Sequence, residues 1–242
     1  MGIVITNGVQ LNSLKMVAGN VPSPPATPTG LILNMDAVNY SGTGTSWPDT
    51  SGYSQNGTLQ GNPTFNTNYF TFNGAGTQYV SFSNTSQIPT GSYSYTLLAW
   101  AKFAQLKQNG LIGWGTYNSN YNVNALRTSE TSPGGLLNYW WGNDIYISNN
   151  MALNVWHHII ATYDKPTSTR KLWLNNTLIG TDYPSNSIMN TTPASSLTLA
   201  RTWTGVNEYL NGGLSVARIY NRSLTSTEIA TDYSSFRSRF PA

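Results

Sequence analysis

The chain has 242 residues, 9% of them charged and 12% aromatic, with a formal net charge of +3 and no cysteine. That length suits one ordinary all-β domain with an appendage and can bury a large core without covalent staples. The missing cysteines exclude disulfides and thiolate metal sites, and the aromatic content excludes a disordered polymer. Gly, Asn, Ser and Thr replace the usual charged residues, a composition typical of turn-rich sandwiches and of proteins that work outside cells or on virus particles. Arg218, Arg222, Arg237 and Arg239 gather near the C-terminus but do not alternate with aromatics as a nucleic-acid groove would, so no nucleic-acid partner is expected.

The first stretch, MGIVITNGVQLNSLKMVAG, has no basic segment followed by a continuous apolar core and makes a poor signal peptide. No apolar run is long enough to cross a bilayer, so membrane insertion is not expected. Residues 1–20 read as an arm with strand-like pieces at 3–6 and 9–14. VPSPPATPTG, residues 21–30, places four prolines in ten residues and reads as a stiff, extended linker. A lone strand pair cannot bury Ile3, Val4, Ile5, Val9, Leu11 and Leu14. The arm therefore needs a partner surface, either another subunit through β-addition or its own domain, and the first is favoured.

Residues 31–242 form the main domain. Alternating apolar residues between Gly, Asn and Pro clusters predict strands over 31–36, 69–73, 79–83, 93–103, 111–116, 122–127, 136–141, 145–148, 155–163, 171–174, 178–183, 197–201 and 213–220. Around a dozen strands in one domain give an all-β, two-sheet antiparallel jelly-roll sandwich. One short C-terminal helix over 226–235 is the exception. Thr225 and Glu228 fit a capping box, and Ile229, Ala230 and Tyr233 supply its buried stripe.

Three stretches together resemble the laminin-G-like, concanavalin A-like lectin/glucanase superfamily, of the type found in bacteriophage virion proteins. NVWHHIIATYDKPTSTRKLWLNNTLIG (154–180) is similar to the family's Trp-His-His strand, Tyr-Asp turn and following hairpin. LNGGLSVARIYNRSLTSTEIATDY (210–233) resembles its closing strand and short Glu-Ile helix. LILNMDAVNYSGTGTSWPDTSGYSQNGTL (31–59), followed by FTFNGAGTQYVSF (70–82), looks like the opening of the bacterial and phage members. The resemblance covers about residues 31–236. It implies two antiparallel sheets, one of them concave, and no particular function, because the fold hosts lectins, hydrolases, adhesion modules and virion proteins.

The site residues divide by chemistry. His157 and His158 are adjacent on a strand, so their side chains diverge and cannot share a metal; a structural role is expected for both. The hydrolases of this fold carry Glu-x-Asp-x-x-Glu, whereas Glu130, Glu208 and Glu228 are the only glutamates and none sits in such a motif, so no catalytic residue and no enzymatic activity are expected. Asp36, Asp49 and Asp144 are too separated for a standard calcium loop. Carbonyls and Asn side chains leave room for a weak calcium site with unnamed ligands, and no other cofactor is expected. Asp49, in SWPDTSG, is expected to organise its own turn. Arg201, Arg218 and Arg222 are expected to tie strands to loops. The Asn-x-Ser/Thr sequons at Asn56, Asn84, Asn175, Asn190 and Asn221 are chance matches in a chain of this composition.

The aromatic residues are the strongest binding candidates. In YTLLAWAKF, Leu97, Ala99 and Ala101 share one face and Trp100 lies opposite; in KLWLNN, Trp173 lies opposite Leu172 and Leu174. NYWWGND, residues 138–144, points Trp140 and Trp141 to opposite faces if it is a strand, so one is core. A ligand platform needs an exposed ring flanked by hydrogen-bonding groups. The candidates are Trp114, Arg127, Trp140, Trp141, Asn143 and Asp144, against the plainer reading of scaffold under loops. The favoured function is a non-enzymatic phage virion structural protein, displayed on the virion surface and anchored by its arm to other virion subunits. It would serve in capsid decoration or in a tail, baseplate or fibre, with self-association and host glycans as further partners. The alternative is a secreted or cell-surface carbohydrate-binding module.

Overall fold

The computed structural model describes residues 28–129, 135–149, 151–184, 197–202 and 208–240. The arm residues Ile3, Val4, Ile5, Val9, Leu11 and Leu14, and all of the proline-rich stretch before Pro28, lie outside the described residues.

Two antiparallel sheets face each other. The first runs β14 (Thr177–Asp182), β13 (Thr169–Leu174), β12 (His157–Asp164), β7 (Tyr95–Phe103), β16 (Asn211–Tyr220), β5 (Phe70–Asn73), β4 (Thr64–Phe65). The ten-residue β16 is shared on its far side, with β5 against its start and β1 (Leu31–Asp36) against its end. The second sheet runs β11 (Ile145–Ile147), β10 (Leu136–Tyr139), β9 (Val123–Thr128), β8 (Gly110–Gly115), β15 (Thr198–Leu199), β6 (Tyr79–Phe82), β3 (Gly57–Gln60), β2 (Ser46–Trp47). The expected jelly-roll sandwich is therefore present. The strands β2, β3 and β4, of two to four residues, are too short to leave an alternation pattern in the sequence.

Alternation decides what enters the core. Leu97, Ala99 and Ala101 of β7 and Leu172 and Leu174 of β13 pack between the sheets. In β16 the inward residues Leu214, Ala217 and Ile219 break the two-residue period, and a register shift between Leu214 and Val216 restores it.

The outer face of the first sheet is closed by the C-terminal segment. Helix α1 (Ser226–Phe236) begins with the expected capping box: the Thr225 hydroxyl accepts from the Glu228 amide and the Glu228 carboxylate accepts from the Thr225 amide. Its stripe Ile229, Tyr233, Phe236, continued by Phe240, covers Leu98, Trp100, Ile160, Trp173 and Val216. Trp100 stacks on Phe240 at 4.6 Å and on Tyr233 at 5.7 Å. Under this cover Asp232 holds His158 through Nε2 at 3.0 Å and accepts from Arg218. Arg218 Nε also donates to Asn34 Oδ1 at 2.8 Å, and Arg222 bonds Glu228 and the Thr29 carbonyl. His157 instead meets the Ala152 carbonyl at 3.0 Å. Both histidines and both arginines are thus structural. Asp49 accepts from the amides of Asn34, Ser51 and Gln55, all at 2.9 Å, and from the Ser51 hydroxyl at 2.7 Å, which organises the turn after β2.

Candidate functional site

The stretch NYWWGND does not continue β10. The strand stops at Tyr139, and the Asp144 carboxylate takes the place of a neighbouring strand, with Oδ1 accepting from the Trp140 amide at 2.8 Å and the Trp141 amide at 3.1 Å. The chain then turns through left-handed backbone at Trp141 (φ 63) and Gly142 (φ 90). For a bulky non-glycine residue that conformation is a true outlier.

The turn separates the two tryptophans. Trp140 is fully buried: its indole donates to the Tyr95 hydroxyl at 3.0 Å, meets the Tyr163 ring edge-on at 5.0 Å and carries the Arg170 guanidinium 4.1 Å from its ring centre. Arg170 also donates to the Asn143 carbonyl at 2.9 Å and pairs with Asp182, so the far side of the turn is clamped. Trp141 stays half-buried at the surface, edge-on to Tyr139 at 5.6 Å and to Tyr117 at 6.2 Å.

A second loop, TYNSNYN (116–122), runs beside this turn. It closes on itself through the Thr116 amide and Asn122 carbonyl at 2.8 Å. Asn118 (φ 64) and Tyr121 (φ 63) are also left-handed. The Tyr121 amide donates to the Trp141 carbonyl at 2.9 Å, joining two left-handed aromatic residues from different loops. Gly142 faces Asn120, where a Cβ would come within 3.3 Å of the amide oxygen. Left-handed backbone at a non-glycine residue costs about 1–3 kcal/mol and persists only where surrounding contacts over-determine it.

Beneath the rim lies a buried charge pair. Arg127 Nη1 stands 3.1 Å from Glu208 Oε1, its guanidinium lies 4.6 Å from the Tyr139 ring centre, and Glu208 accepts from the Thr202 hydroxyl. The segment that brings Glu208 crosses β8 at Gly110, where any Cβ would sit 2.3 Å from the Thr202 amide nitrogen. Burial, with Asp144 adding to it, pushes the Tyr139 hydroxyl up to about 12 against the pull of Arg127. Burial also raises Tyr117, with Glu208 second. Asp144 is exposed as a residue, yet its carboxyl is enclosed enough that desolvation raises its pKa, opposed by the Trp140 amide and by Arg170 and Arg127.

Three of the six sequence candidates therefore need correction. Trp114 points between the sheets, fully buried, and donates to the Pro89 carbonyl at 3.1 Å. Trp140 is core for the reasons above. Arg127 faces the other way from Trp114, but at 7% exposure it is committed to Glu208 and Tyr139. Trp141, Asn143 and Asp144 remain at the surface. Sequence reading missed Tyr117, Tyr121 and Tyr139. The available signal was the Tyr-Asn-Ser composition of 116–122, which resembles that of adaptable binding loops. Glu130 lies outside the described residues.

Comparison with known proteins agrees with this architecture. The laminin-G-type family model described as the concanavalin A-like lectin/glucanases superfamily matches residues 73–230, more than half of the chain. No curated protein sequence matches the chain. Among solved structures, the binding domain of Paraclostridial Mosquitocidal Protein 1 superposes with a TM-score of 0.65 at 15% identity, over 86% of this chain and 52% of that one. The binding domain of botulinum neurotoxin DC, in complex with rat synaptotagmin II, gives 0.65 at 17% identity over 87% and 52%. Trypanosoma rangeli sialidase gives 0.62 at 17% over 86% and 33%. The chain thus spans about half the length of the toxin binding domains and a third of the sialidase. At these identities the likeness is one of fold. By the family match, its sheet topology and its capped closing helix, the chain belongs to the concanavalin A-like lectin/glucanase superfamily.

Proposed function

We propose that this is a non-enzymatic, lectin-like binding domain of a phage virion. It recognises host-surface glycans through the rim at 116–122 and 139–144 and is fastened to other virion subunits by its N-terminal arm. The observation that carries the binding site is the pairing of Tyr121 and Trp141. Two bulky aromatics from separate loops are held in a costly backbone conformation, joined by a hydrogen bond, next to the partly enclosed Asp144 carboxylate. Such a site offers ring surface for the C–H face of a sugar and fixed acceptors for its hydroxyls. The toxin binding domains of the same fold, one in complex with rat synaptotagmin II, support a recognition role.

The virion assignment rests on the apolar arm, the proline-rich linker, the low charge and the lack of cysteine. Thirty residues can extend at most about 100 Å. Near the first described residues the Asn221 amide donates to the Gly30 carbonyl at 2.9 Å, so the linker joins the domain beside the end of β16.

A glycan array probed with the full chain and with Trp141→Ala tests the site. Binding is expected, with affinity falling at least about tenfold in the variant; binding unaffected by Trp141→Ala would remove the rim from the account. Deleting residues 1–20 is expected to abolish co-sedimentation with particles while glycan binding persists.

A further inference from the structure

We propose a second glycan-binding groove, centred on Tyr93 and separate from the Trp141 rim. It rests on the reading of this domain as a glycan binder. Tyr93 is 57% exposed and borders a hollow of about 230 Å³ with Gln87, Pro89 and Asn221. Its backbone surroundings are fixed: the Gln87 amide donates to Gln55 Oε1 at 3.2 Å, the Pro89 carbonyl accepts from Trp114, and the Ser94 hydroxyl accepts from the Lys165 amide at 3.0 Å. Among the described residues, the side-chain amides of Gln87 and Asn221 bond to nothing, although each offers donors and an acceptor. An exposed ring on a fixed loop between two unengaged planar amides is the arrangement a pyranose needs, one C–H face on the ring and hydroxyl edges on the amides.

A second depression lies nearby. Lys165 reaches the Tyr93 ring at 5.5 Å, and the preceding residue, Asp164, lines this second depression, of about 500 Å³, with Thr167, Thr169, Lys171, Ser223 and Thr225. Asn221 borders the first depression and Ser223 the second, so the two lie two residues apart along the chain after β16, with Lys165 beside Asp164 on the neighbouring loop. Four of the seven residues lining the second depression, which also include Leu224, carry hydroxyls, and its one carboxylate and one ammonium balance. That lining fits the continuation of a neutral oligosaccharide better than an anion. The groove thus takes a linear glycan longer than one sugar, its end ring on Tyr93.

The test is backbone amide NMR on the full chain titrated with cellotetraose, chitotetraose and maltotetraose to about 10 mM, a range that detects millimolar affinity. At least one sugar is expected to shift amides in 87–94, 165–171 and 221–225. Tyr93→Ala should weaken this binding at least about tenfold, Gln87→Ala should weaken it less, and Trp141→Ala should leave it unchanged. Shifts confined to 116–122 and 139–144 would overturn the groove and leave the rim standing. Shifts at neither place would overturn both. If Pro24→Ala and Pro25→Ala shift amides 87–93 without sugar, the protein's own linker fills the hollow and the proposal fails.

Discussion

Trp100 and Trp141 are both tryptophans that cannot enter the core between the sheets, yet the molecule treats them in opposite ways. Trp100 leaves the first sheet outward and meets a purpose-built cover, with Tyr233, Phe236 and Phe240 around its ring and a buried Asp232–Arg218–His158 cluster beside it. Trp141 sits at the end of the second sheet on left-handed backbone, touched by two tyrosine edges and left half-open. The contrast shows that an off-core aromatic is sorted by whether the chain supplies a lid. Where it does, ring burial and polar satisfaction reinforce each other. Where it does not, strain is retained without the burial that would repay it, and glycan recognition is the use we propose for it.

The contrast breaks first under truncation. Trp100→Ala empties a packed aromatic cluster and is expected to cost about 3–5 kcal/mol, whereas Trp141→Ala should cost no more than about 1 kcal/mol; urea unfolding midpoints measure both. Equal losses would mean that the rim is as structural as the lid. Asp232→Ala leaves Arg218 and His158 without their shared acceptor. Breaking such a buried pair costs about 3–5 kcal/mol, and the loss should appear alongside exposure of the Trp100 fluorescence to quenchers.

A middle-sized effect separates scaffold from ligand contact at the rim. Asp144→Ala removes the acceptor for two adjacent amides and is expected to cost about 1–2 kcal/mol. Because burial raises the Asp144 pKa above its ordinary 3.8, acidification should protonate it earlier than a free aspartate. Glycan affinity at the rim is therefore expected to fall as pH drops through that raised midpoint, with Arg127, Arg170 and Tyr139 as its charged or titratable neighbours. In Asp144→Asn the pH dependence should vanish; its persistence would move the contact elsewhere.

The sequence made the sandwich legible because its long strands alternate and its closing helix carries a capping box, both local signals. It concealed the rim because side-chain-to-backbone bonds and long-range contacts, rather than periodicity, set the rim's geometry. Trp140 and Trp141 look like strand neighbours until Asp144 is seen to take both amides, an event set four residues downstream. Arg127 and Trp114 sit on neighbouring strands, as expected, but on opposite faces, which a one-residue difference in register decides. The partner that buries Arg127, Glu208, lies far along the chain and reaches it only because Gly110 lets a second backbone cross. No periodicity reports such a contact. Glu208 could be set aside as a hydrolase carboxylate, but its role as counterion could not be read.

The smallest effect concerns the lid's latch. Glu228 accepts from Thr225 at the start of α1 and pairs with Arg222 at 2.5 Å, and the Arg222 hydrogen bonds, helped by those from Thr225, pull its carboxyl from 4.5 down to about 2. A depressed carboxylate contributes stability that is present above its unfolded pKa and is lost as pH falls through the folded value. The contribution should therefore be whole above about pH 4.5, decline between 4.5 and 2, and be gone below 2. The pair is partly exposed, so solvent screening limits it to about 1 kcal/mol or less. Glu228→Gln should flatten stability against pH in that window only, measured by urea midpoints at several pH values. Since α1 covers Trp100 and not Trp141, quenching of the lid tryptophan should follow this titration while rim binding, corrected for Asp144, does not. If both move together, lid and rim are one cooperative unit, and the distinction between a sealed and an open aromatic site reduces to a difference in exposure.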